Sequence, residues 1–355
     1  MPANAENGGR INVNVVMGGP SAEYEVSLNS GAQALANLDR GGYGRLRAVV
    51  IDREKRLYFA DAGADGSVPD VKAFAAPDGP FKGPFSPYDC KEIWDGCGAA
   101  FLAMHGEFGE DGTVQGYLDA LGVPYTGCGV YAGAVAMNKI TSKYLYMLGG
   151  LTVPDYSVYG VNHPETTIDG IIAKHGFPCF LKCPQSGSSR LMGRAEDRES
   201  LAALLEELQE SAEDILVETA VCGVEFSCGV IDMPDGSTHA LPPIEIRPKG
   251  SEFFDYKAKY SHGGSEELVP APREPELLAE IEAAALRAHK LLGCYGVSRT
   301  DMIYSGSKLH ILETNTLPGM TSTSLLPQAF KAWRGGTYSE LLDVLIASAL
   351  KRAKH

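Results

Sequence analysis

The chain has 355 residues, of which 44% are hydrophobic and 21% are charged, proportions typical of a soluble globular protein. Its length predicts two or three domains. The formal net charge of -14 argues against a nucleic-acid-binding protein, because such proteins usually carry a basic patch.

The first residues, MPANAENGGR, lack the apolar stretch of a signal peptide. No apolar run approaches the roughly 20 residues that span a bilayer. The eight cysteines form no CxxC pair, which favours reduced thiols over disulfides. We therefore expect a cytoplasmic protein with neither a membrane nor a nucleic-acid partner.

The N-terminal part alternates between predicted strands and helices. An apolar run at 11–17 ends in Gly18-Gly19 and leads into an amphipathic pattern. RLRAVVID forms a second strand, and residues 98–122 repeat strand, loop and helix. Residues 60–90 are rich in Gly, Pro and Asp and predict loops. This alternation predicts a small α/β domain with a parallel sheet.

The rest of the chain predicts a different arrangement. A long helix over 130–149 precedes the strand PCFLKCP and its Gly/Ser loop QSGSSRLMG. The helix RESLAALLEELQES follows, and DILVETAVCGVEFSCGVID predicts two strands of a hairpin around Gly223. A long polar loop, RPKGSEFFDYKAKYSHGGSEELVPAP, leads to a helix over 275–292, two strands and a C-terminal helix. Long loops in compact domains are usually functional or disordered, and the aromatic residues of this one argue against disorder.

The last two predicted strands carry candidate metal ligands. In LHILETNTLPGMTSTS, Glu313 and Asn315 lie two residues apart and therefore share a strand face. Upstream, SRTDMIYSG places Asp301 where a neighbouring antiparallel strand adds a third oxygen, with Arg299 on the same face. Oxygen ligands suit Mg²⁺, which in nucleotide sites also binds phosphate. The alternative is a hairpin with acids on its solvated face.

Several further residues are candidates for binding phosphate or a polar substrate. Lys182 ends a strand next to a Gly/Ser loop, and Lys139 and Lys143 share a helix face. The alternatives are a lysine beside a surface loop and a solvated helix face. Neither a P-loop nor a dinucleotide-binding glycine motif is present. Further candidates that follow or flank strand ends are Glu23, His105, Glu218 and Glu225.

Seven stretches, in chain order, resemble the D-alanine–D-alanine ligase family of the ATP-grasp superfamily: GGPSAEYEVSLNSG, MHGEFGEDGTVQGYLDALGVPYTGCGVYAGAVAMNK, FLKCPQSGSS, VETAVCGVEFSCGVI, FFDYKAKY, LGCYGVSRTDMIYSG and LHILETNTLPGMTSTSLLP. They extend from residue 16 to about 327. The resemblance implies a three-domain ATP-grasp architecture that combines α/β and α+β parts. A flexible leader, 1–10, would precede a doubly wound N-terminal domain, 11–128, a central domain, 129–217, and a C-terminal domain, 218–355.

The resemblance also implies ATP and two Mg²⁺ ions, with Mn²⁺ as a substitute. The metal ligands would be Asp301, Glu313 and Asn315. The nucleotide would contact Lys139, Lys182, Ser188, Ser189, Glu218, Glu225, Lys259 and Asn315. Family chemistry phosphorylates the carboxylate of one amino acid, and the amine of a second then displaces phosphate to form a dipeptide. A homodimer would fit the family.

The same resemblance implies roles around the reacting groups. Glu23 and His105 would orient the first amino acid, and Ser324 with Leu325 would hold the carboxylate of the second. Arg299 and the Gly319 N–H would form an oxyanion hole. Tyr260 would bond Ser188 and Glu23 and close a lid over the acyl phosphate. A tyrosine at position 260 favours dipeptide over depsipeptide synthesis.

This sequence departs from the family pattern near the glycine-rich loop, which reads GSSRL where the family usually has Gly-Ser-Ser-Val-Gly. Asn138 replaces an aspartate before Lys139. The leading hypothesis is ligation of two D-alanines for cell-wall precursor synthesis. The alternatives are a diverged ligase for another substrate pair in a specialised pathway, and an inactive nucleotide-binding homologue.

Overall fold

The computed structural model of the chain describes residues 10–39, 41–63, 65, 67–185, 191–248 and 265–353. The first of its three sheets has the order β4-β3-β2-β1-β5. Its strands are β1 (Val13–Gly18), β2 (Leu46–Ile51), β3 (Leu57–Asp61), β4 (Lys82–Phe85) and β5 (Ala99–Leu102). β1 runs parallel to β2 and β5, as predicted, whereas β3 and β4 add antiparallel strands. The prediction of loops throughout 60–90 was therefore wrong at β4 and at the end of β3.

Helices cover both faces of this sheet, so β1 is buried along its whole length. The helices that belong to this part of the chain are α1 (Tyr24–Asn37), α2 (Lys91–Trp94) and α3 (Thr113–Leu121). One continuous core joins α1 to the C-terminal helices and to the third sheet. This shared core fixes the N-terminal loops against the C-terminal part of the chain.

The second sheet is antiparallel, with the order β6-β9-β7-β8. Its strands are β6 (Tyr156–Gly160), β7 (Cys179–Lys182), β8 (Met192–Ala195) and β9 (Asp214–Thr219). The helices α6 (Ile168–His175) and α7 (Arg198–Gln209) pack on it through a small leucine-rich core. A capping box between Asp197 and Ser200 fixes the start of α7.

The third sheet is also antiparallel and has the order β13-β12-β10-β14-β15, with β11 paired to β10. Its strands are β10 (Val224–Asp232), β11 (Thr238–Ala240), β12 (Ile244–Pro248), β13 (Ser265–Leu268), β14 (Val297–Tyr304) and β15 (Leu309–Asn315). Helix α8 (Pro275–Leu291) covers one face. The predicted hairpin around Gly223 was wrong, because β9 and β10 belong to different sheets and residues 220–223 connect them.

Two helices replace the single predicted helix over 130–149: α4 (Val130–Met137) and α5 (Lys139–Leu148). Asn138 separates them with an extended backbone, and its Oδ1 accepts a hydrogen bond from the Thr141 N–H at 3.0 Å. Asn138 therefore caps α5, which explains the break. The Lys139 N–H donates to the Pro184 carbonyl at 3.0 Å and ties α5 to the second sheet.

The C-terminal region also contains two helices rather than one, α9 (Leu325–Arg334) and α10 (Tyr338–Arg352). Gly335, with φ of +69°, ends α9, and Thr337 caps α10. Within the described ranges, no helix is both long and apolar enough to cross a membrane. The predicted domain limits stay a prediction. The limit at 217/218 lies within β9.

Candidate active site

One face of the third sheet brings together the four polar residues predicted on β14 and β15. Arg299 lies opposite Asn315, and Asp301 lies opposite Glu313. Residues directly opposite each other in an antiparallel pair share a face, so all four side chains point to the same side. The two segments quoted from the sequence therefore form one site.

A β-bulge turns the predicted metal ligands of β15 away from the core. Leu312 is left unpaired between two register positions, so the side-chain alternation is reset there. Leu309 and Ile311 consequently point into the core, whereas Glu313 and Asn315, of the same odd numbering, point into the site.

Asp301 accepts hydrogen bonds from Arg299, Asn315 and Ser227. Arg299 donates from Nε to Asp301 Oδ1 at 3.0 Å and from its terminal nitrogen to Oδ2 at 2.9 Å. The Ser227 hydroxyl donates to Oδ1 at 2.6 Å, and the Asn315 Nδ2 donates to Oδ2 at 3.1 Å. This two-point arginine contact holds both side chains in fixed orientations.

Helix α5 completes the group from the other side. Lys139 Nζ lies 3.2 Å from Glu313 Oε2. On the same helix, the buried Tyr146 hydroxyl donates to Thr314 Oγ1 at 2.7 Å. Since Thr314 lies between Glu313 and Asn315 on β15, this bond fixes α5, and with it Lys139, against the site.

The chemistry of this donor set fits a divalent cation. Asp301, Glu313 and Asn315 present carboxylate and amide oxygens on one face, which is the ligand type that Mg²⁺ prefers. Within the described part of the chain, no group of three His, Cys, Asp or Glu side chains forms a metal site. Such a site would therefore depend on the Asn315 amide and on phosphate oxygens, as in Mg²⁺–nucleotide sites.

Lys182 and Glu218 lie on adjacent strands of the second sheet and form a buried ion cluster with Lys143. Lys182 Nζ is 2.5 Å from Glu218 Oε2, and Lys143 Nζ pairs with Oε1. Burial opposes the charged carboxylate, but the two lysines outweigh it and lower the pKa of Glu218 to about 2. Lys143 is fully buried, so its interpretation as part of a solvated helix face was wrong.

The same cluster keeps Lys182 charged. Burial favours the neutral amine, but Glu218 outweighs it and, with Glu313 and Glu225, raises the pKa of Lys182. Glu225 lies on β10 opposite Ile303, on the same sheet face as Asp301. A cationic Lys182 and the acids of the third sheet therefore face one another across the space between the two sheets.

The N-terminal sheet contributes a second group of polar residues. His105, just after β5, is buried, and its Nε2 lies 3.0 Å from Ser30 Oγ of α1. Burial lowers the pKa of His105 although Glu23 opposes this, so the imidazole is neutral at pH 7. Glu23 is also buried, and a Cβ built on Gly106 would lie 2.7 Å from its Oε2. Gly106 thus allows the backbone to approach Glu23 closely.

The predicted carboxylate-binding residues lie at the start of α9. Ser324 is the N-cap residue, and its hydroxyl accepts from the Thr321 N–H at 3.1 Å. A Cβ built on Gly319 would lie 3.0 Å from Ser324 Oγ, so the two residues are adjacent. Leu325 begins the helix and packs on the core. The exposed N–H groups of a helix start attract a carboxylate.

Sequence reasoning missed two residues of this region. Ser227 bonds Asp301, as described above. Glu110 accepts a hydrogen bond from the Gly106 N–H at 3.2 Å, and its own carbonyl accepts from Thr316 Oγ1 at 3.3 Å. The available signal for Glu110 was the cluster of acids and glycines in GEFGEDG, directly after His105.

Four predicted site residues lie outside the residues that the structure describes. They are Ser188, Ser189, Lys259 and Tyr260. Their predicted contacts with phosphate and with Glu23 stay predictions.

Comparison with known proteins agrees with this geometry. Two family models match the chain, "D-ala D-ala ligase N-terminus" over residues 12–128 and "D-ala D-ala ligase C-terminus" over 148–347. The D-alanine–D-alanine ligase of Syntrophobacter fumaroxidans is 41% identical over 345 residues, covering 96% of this chain and 98% of the relative. The chain belongs to the D-alanine–D-alanine ligase family.

Solved structures confirm the predicted ATP-grasp fold of this family member. The VanG D-Ala:D-Ser ligase of Enterococcus faecalis superposes with a TM-score of 0.83 at 28% identity, covering 96% of this chain and 99% of that one. A D-alanine–D-alanine ligase of Bacillus anthracis complexed with ATP gives a TM-score of 0.75 at 30% identity, covering 97% and 99%. The ligase fold is thus shared over nearly the full length.

Proposed function

We propose that the chain is an ATP-dependent ligase that joins two D-alanine molecules, with release of ADP and phosphate, for the synthesis of cell-wall precursors. The observation that carries the proposal is the gathering of Arg299, Asp301, Glu313 and Asn315 on one sheet face with Lys139 in contact. This arrangement occurs in a chain that matches D-alanine–D-alanine ligases over nearly its whole length.

The nucleotide side of the reaction needs positive charge next to phosphate. Asp301, Glu313 and Asn315 would hold Mg²⁺, which when bound neutralises charge on the phosphates of ATP. Lys182, which Glu218 keeps protonated, and Lys139 would contact phosphate oxygens. Glu313 on β15 holds Lys139, and Glu218 on β9 holds Lys182. The two lysines would therefore contact the phosphates from different sides.

The amino-acid side needs orientation and stabilisation of an oxyanion. Arg299, held by Asp301, and the Gly319 N–H would stabilise the tetrahedral intermediate. Glu23 would pair with the ammonium of the first D-alanine, and neutral His105 would contact it without adding charge. The start of α9 at Ser324 would hold the carboxylate of the second.

The proposal is tested by Mg²⁺-dependent ADP release with D-alanine, D-serine, D-lactate and L-alanine, with the product identified by mass. D-Alanine alone should give D-alanyl-D-alanine, and D-lactate should compete poorly at neutral pH. Turnover only with another pair would refute the assigned substrates, and ATP binding without turnover would refute the ligase activity.

Two further expectations belong to the same proposal. We expect the enzyme to form a homodimer, which sedimentation velocity tests. We also expect it to work in the cytoplasm, where ATP is supplied, and fractionation of the producing cells with an antibody against the chain tests that location.

A further inference from the structure

The candidate site contains a second carboxyl group that the assigned roles do not use. This second carboxyl group belongs to Glu110, and Gly106 lies between it and the carboxyl group of Glu23. The Gly106 N–H donates to Glu110 at 3.2 Å, while the Gly106 Cα approaches Glu23 so closely that a Cβ would collide with its carboxylate. Gly106 has φ of +70°, which lets the loop curl between the two acids.

Glu110 is fixed at the junction between the N-terminal and C-terminal parts of the site. Its carbonyl accepts from Thr316, the residue directly after Asn315 on the strand that carries the predicted metal ligands. Helix α4 packs on the other side, where a Cβ built on Gly133 would lie 2.9 Å from the same carbonyl. The backbone of Glu110 is therefore held between the residue that follows β15 and helix α4, and its carboxylate is held by the Gly106 N–H.

The charges of the two amino acids leave one ammonium group for this second carboxyl group to bind. If the proposed function holds, the site receives two amino acids and thus two ammonium groups. Glu23 pairs with the first ammonium, and Ser324 at the start of α9 faces the carboxylate of the second amino acid. In the assigned roles, the second ammonium has no counter-ion, and its nitrogen must lose a proton before it can attack.

Resting on the proposed function, we infer that Glu110 binds the ammonium group of the second amino acid and accepts its proton. The amine then attacks the acyl-phosphate carbonyl carbon and a C–N bond forms. In the second half of the step the C–O bond to phosphate breaks, and the leaving phosphate takes the second proton from nitrogen. Glu110 releases its own proton to solvent after the dipeptide leaves.

The surroundings of Glu110 suit a proton acceptor. Burial, and then the charge of Glu23, raises the pKa of Glu110 well above its ordinary value. Glu313 on β15 acts in the same direction, while the Gly106 N–H and Arg299 on β14 oppose it. His105, on the same loop, is neutral for the reason given above. A carboxyl whose pKa lies closer to neutrality is a better base than an ordinary one.

The test separates formation of the acyl phosphate from its capture. Hydroxylamine is a neutral nucleophile at neutral pH, so it captures the acyl phosphate as a hydroxamate without needing a base on the protein. We compare hydroxamate and dipeptide formation in wild type, Glu110→Gln and Glu110→Asp. The control is Glu107→Gln, an exposed acid three residues earlier on the same loop.

Glu110→Gln should lower dipeptide formation by about a hundredfold or more, the usual effect of removing a general base, and should raise KM for the second D-alanine. Hydroxamate formation and KM for ATP should stay near wild type. Glu110→Asp, which keeps a carboxyl, should lower dipeptide formation by less. The acidic limb of the wild-type pH profile for dipeptide formation should disappear in Glu110→Gln.

Equal loss of both products in Glu110→Gln would overturn the inference, because Glu110 would then act before the acyl phosphate forms or support the fold. Unchanged dipeptide formation would also overturn it. Wild-type protein that forms neither product would instead refute the proposed function itself.

Discussion

The buried cluster of Lys143, Glu218 and Lys182 makes a quantitative prediction about stability. Lys143→Met removes one cation and keeps a side chain of similar length. The side chains of Lys143 and Glu218 are 1% and 3% exposed, so solvent cannot replace the lost partner. Breaking a buried ion pair from one side typically costs about 3–5 kcal/mol, because it leaves an uncompensated buried charge.

The pKa of Glu218 gives a second estimate of this magnitude. It falls from 4.5 to about 2, and each unit corresponds to about 1.4 kcal/mol, so the two lysines stabilise the carboxylate by about 3 kcal/mol more than its burial costs. The substitution also recovers the cost of burying the lysine, since burial lowers the pKa of Lys143. We therefore expect Lys143→Met to lower the free energy of unfolding by about 2–4 kcal/mol, a large share of the about 5–15 kcal/mol of a native protein.

Urea unfolding followed by circular dichroism measures this change, and a double-mutant cycle isolates the interaction. Glu218→Gln alone should also destabilise, whereas Lys143→Met with Glu218→Gln should cost less than the sum of the two, with a coupling of about 0.5–3 kcal/mol. Lys82→Met, which breaks the exposed pair of Lys82 with Glu92, is the matched control and should change little. Additive effects of the two buried substitutions would refute the reasoning.

Three further predictions follow from the same contacts. Glu313→Ala should abolish ADP release and keep the circular dichroism spectrum, with Glu206→Ala on the outer side of α7 as control; wild-type activity would exclude Glu313 as a metal ligand. Gly106→Ala should destabilise the fold by about 1–2 kcal/mol, because φ there is +70°, and should raise KM for the first amino acid; an unchanged KM would contradict the contact with Glu23. Because the pKa of Glu218 is lowered, its contribution to stability is present above pH 4.5 and is lost as the pH falls towards about 2. Acid unfolding should therefore be less steep in Glu218→Gln, and an identical acid profile would argue against the ion cluster.

Local patterns in the sequence predicted much of the site. The spacing of Glu313 and Asn315 and the placement of Asp301 sufficed to predict a shared strand face, because side-chain alternation is a local property. The parallel β1, β2 and β5 followed from alternating strand and helix patterns. The family resemblance supplied the roles, which spacing alone left open.

The features that the sequence did not predict depend on contacts between distant parts of the chain. The strands around Gly223 look like a hairpin because a short turn separates two apolar runs, but periodicity does not show which sheet a strand joins. A solvated helix face was the alternative weighed for Lys143 because lysines are rarely buried, and its partner Glu218 lies far along the chain. Glu110 was missed for the same reason, since Glu23 and Arg299 reach it only in the folded protein.

The unpaired Leu312 has a consequence for how this protein can vary. Leu312 switches the face to which the odd-numbered residues of β15 point. The first half of the strand is therefore constrained by the volume of the core, and the second half by the geometry of the predicted metal ligands. Substitutions at Leu309 or Ile311 can therefore be tuned for packing without re-aiming Glu313. Deleting Leu312 would make β15 regular, with Ile311 and Glu313 as neighbours that still point to opposite faces, whereas deleting Thr314 would place Glu313 and Asn315 on opposite faces and divide the site.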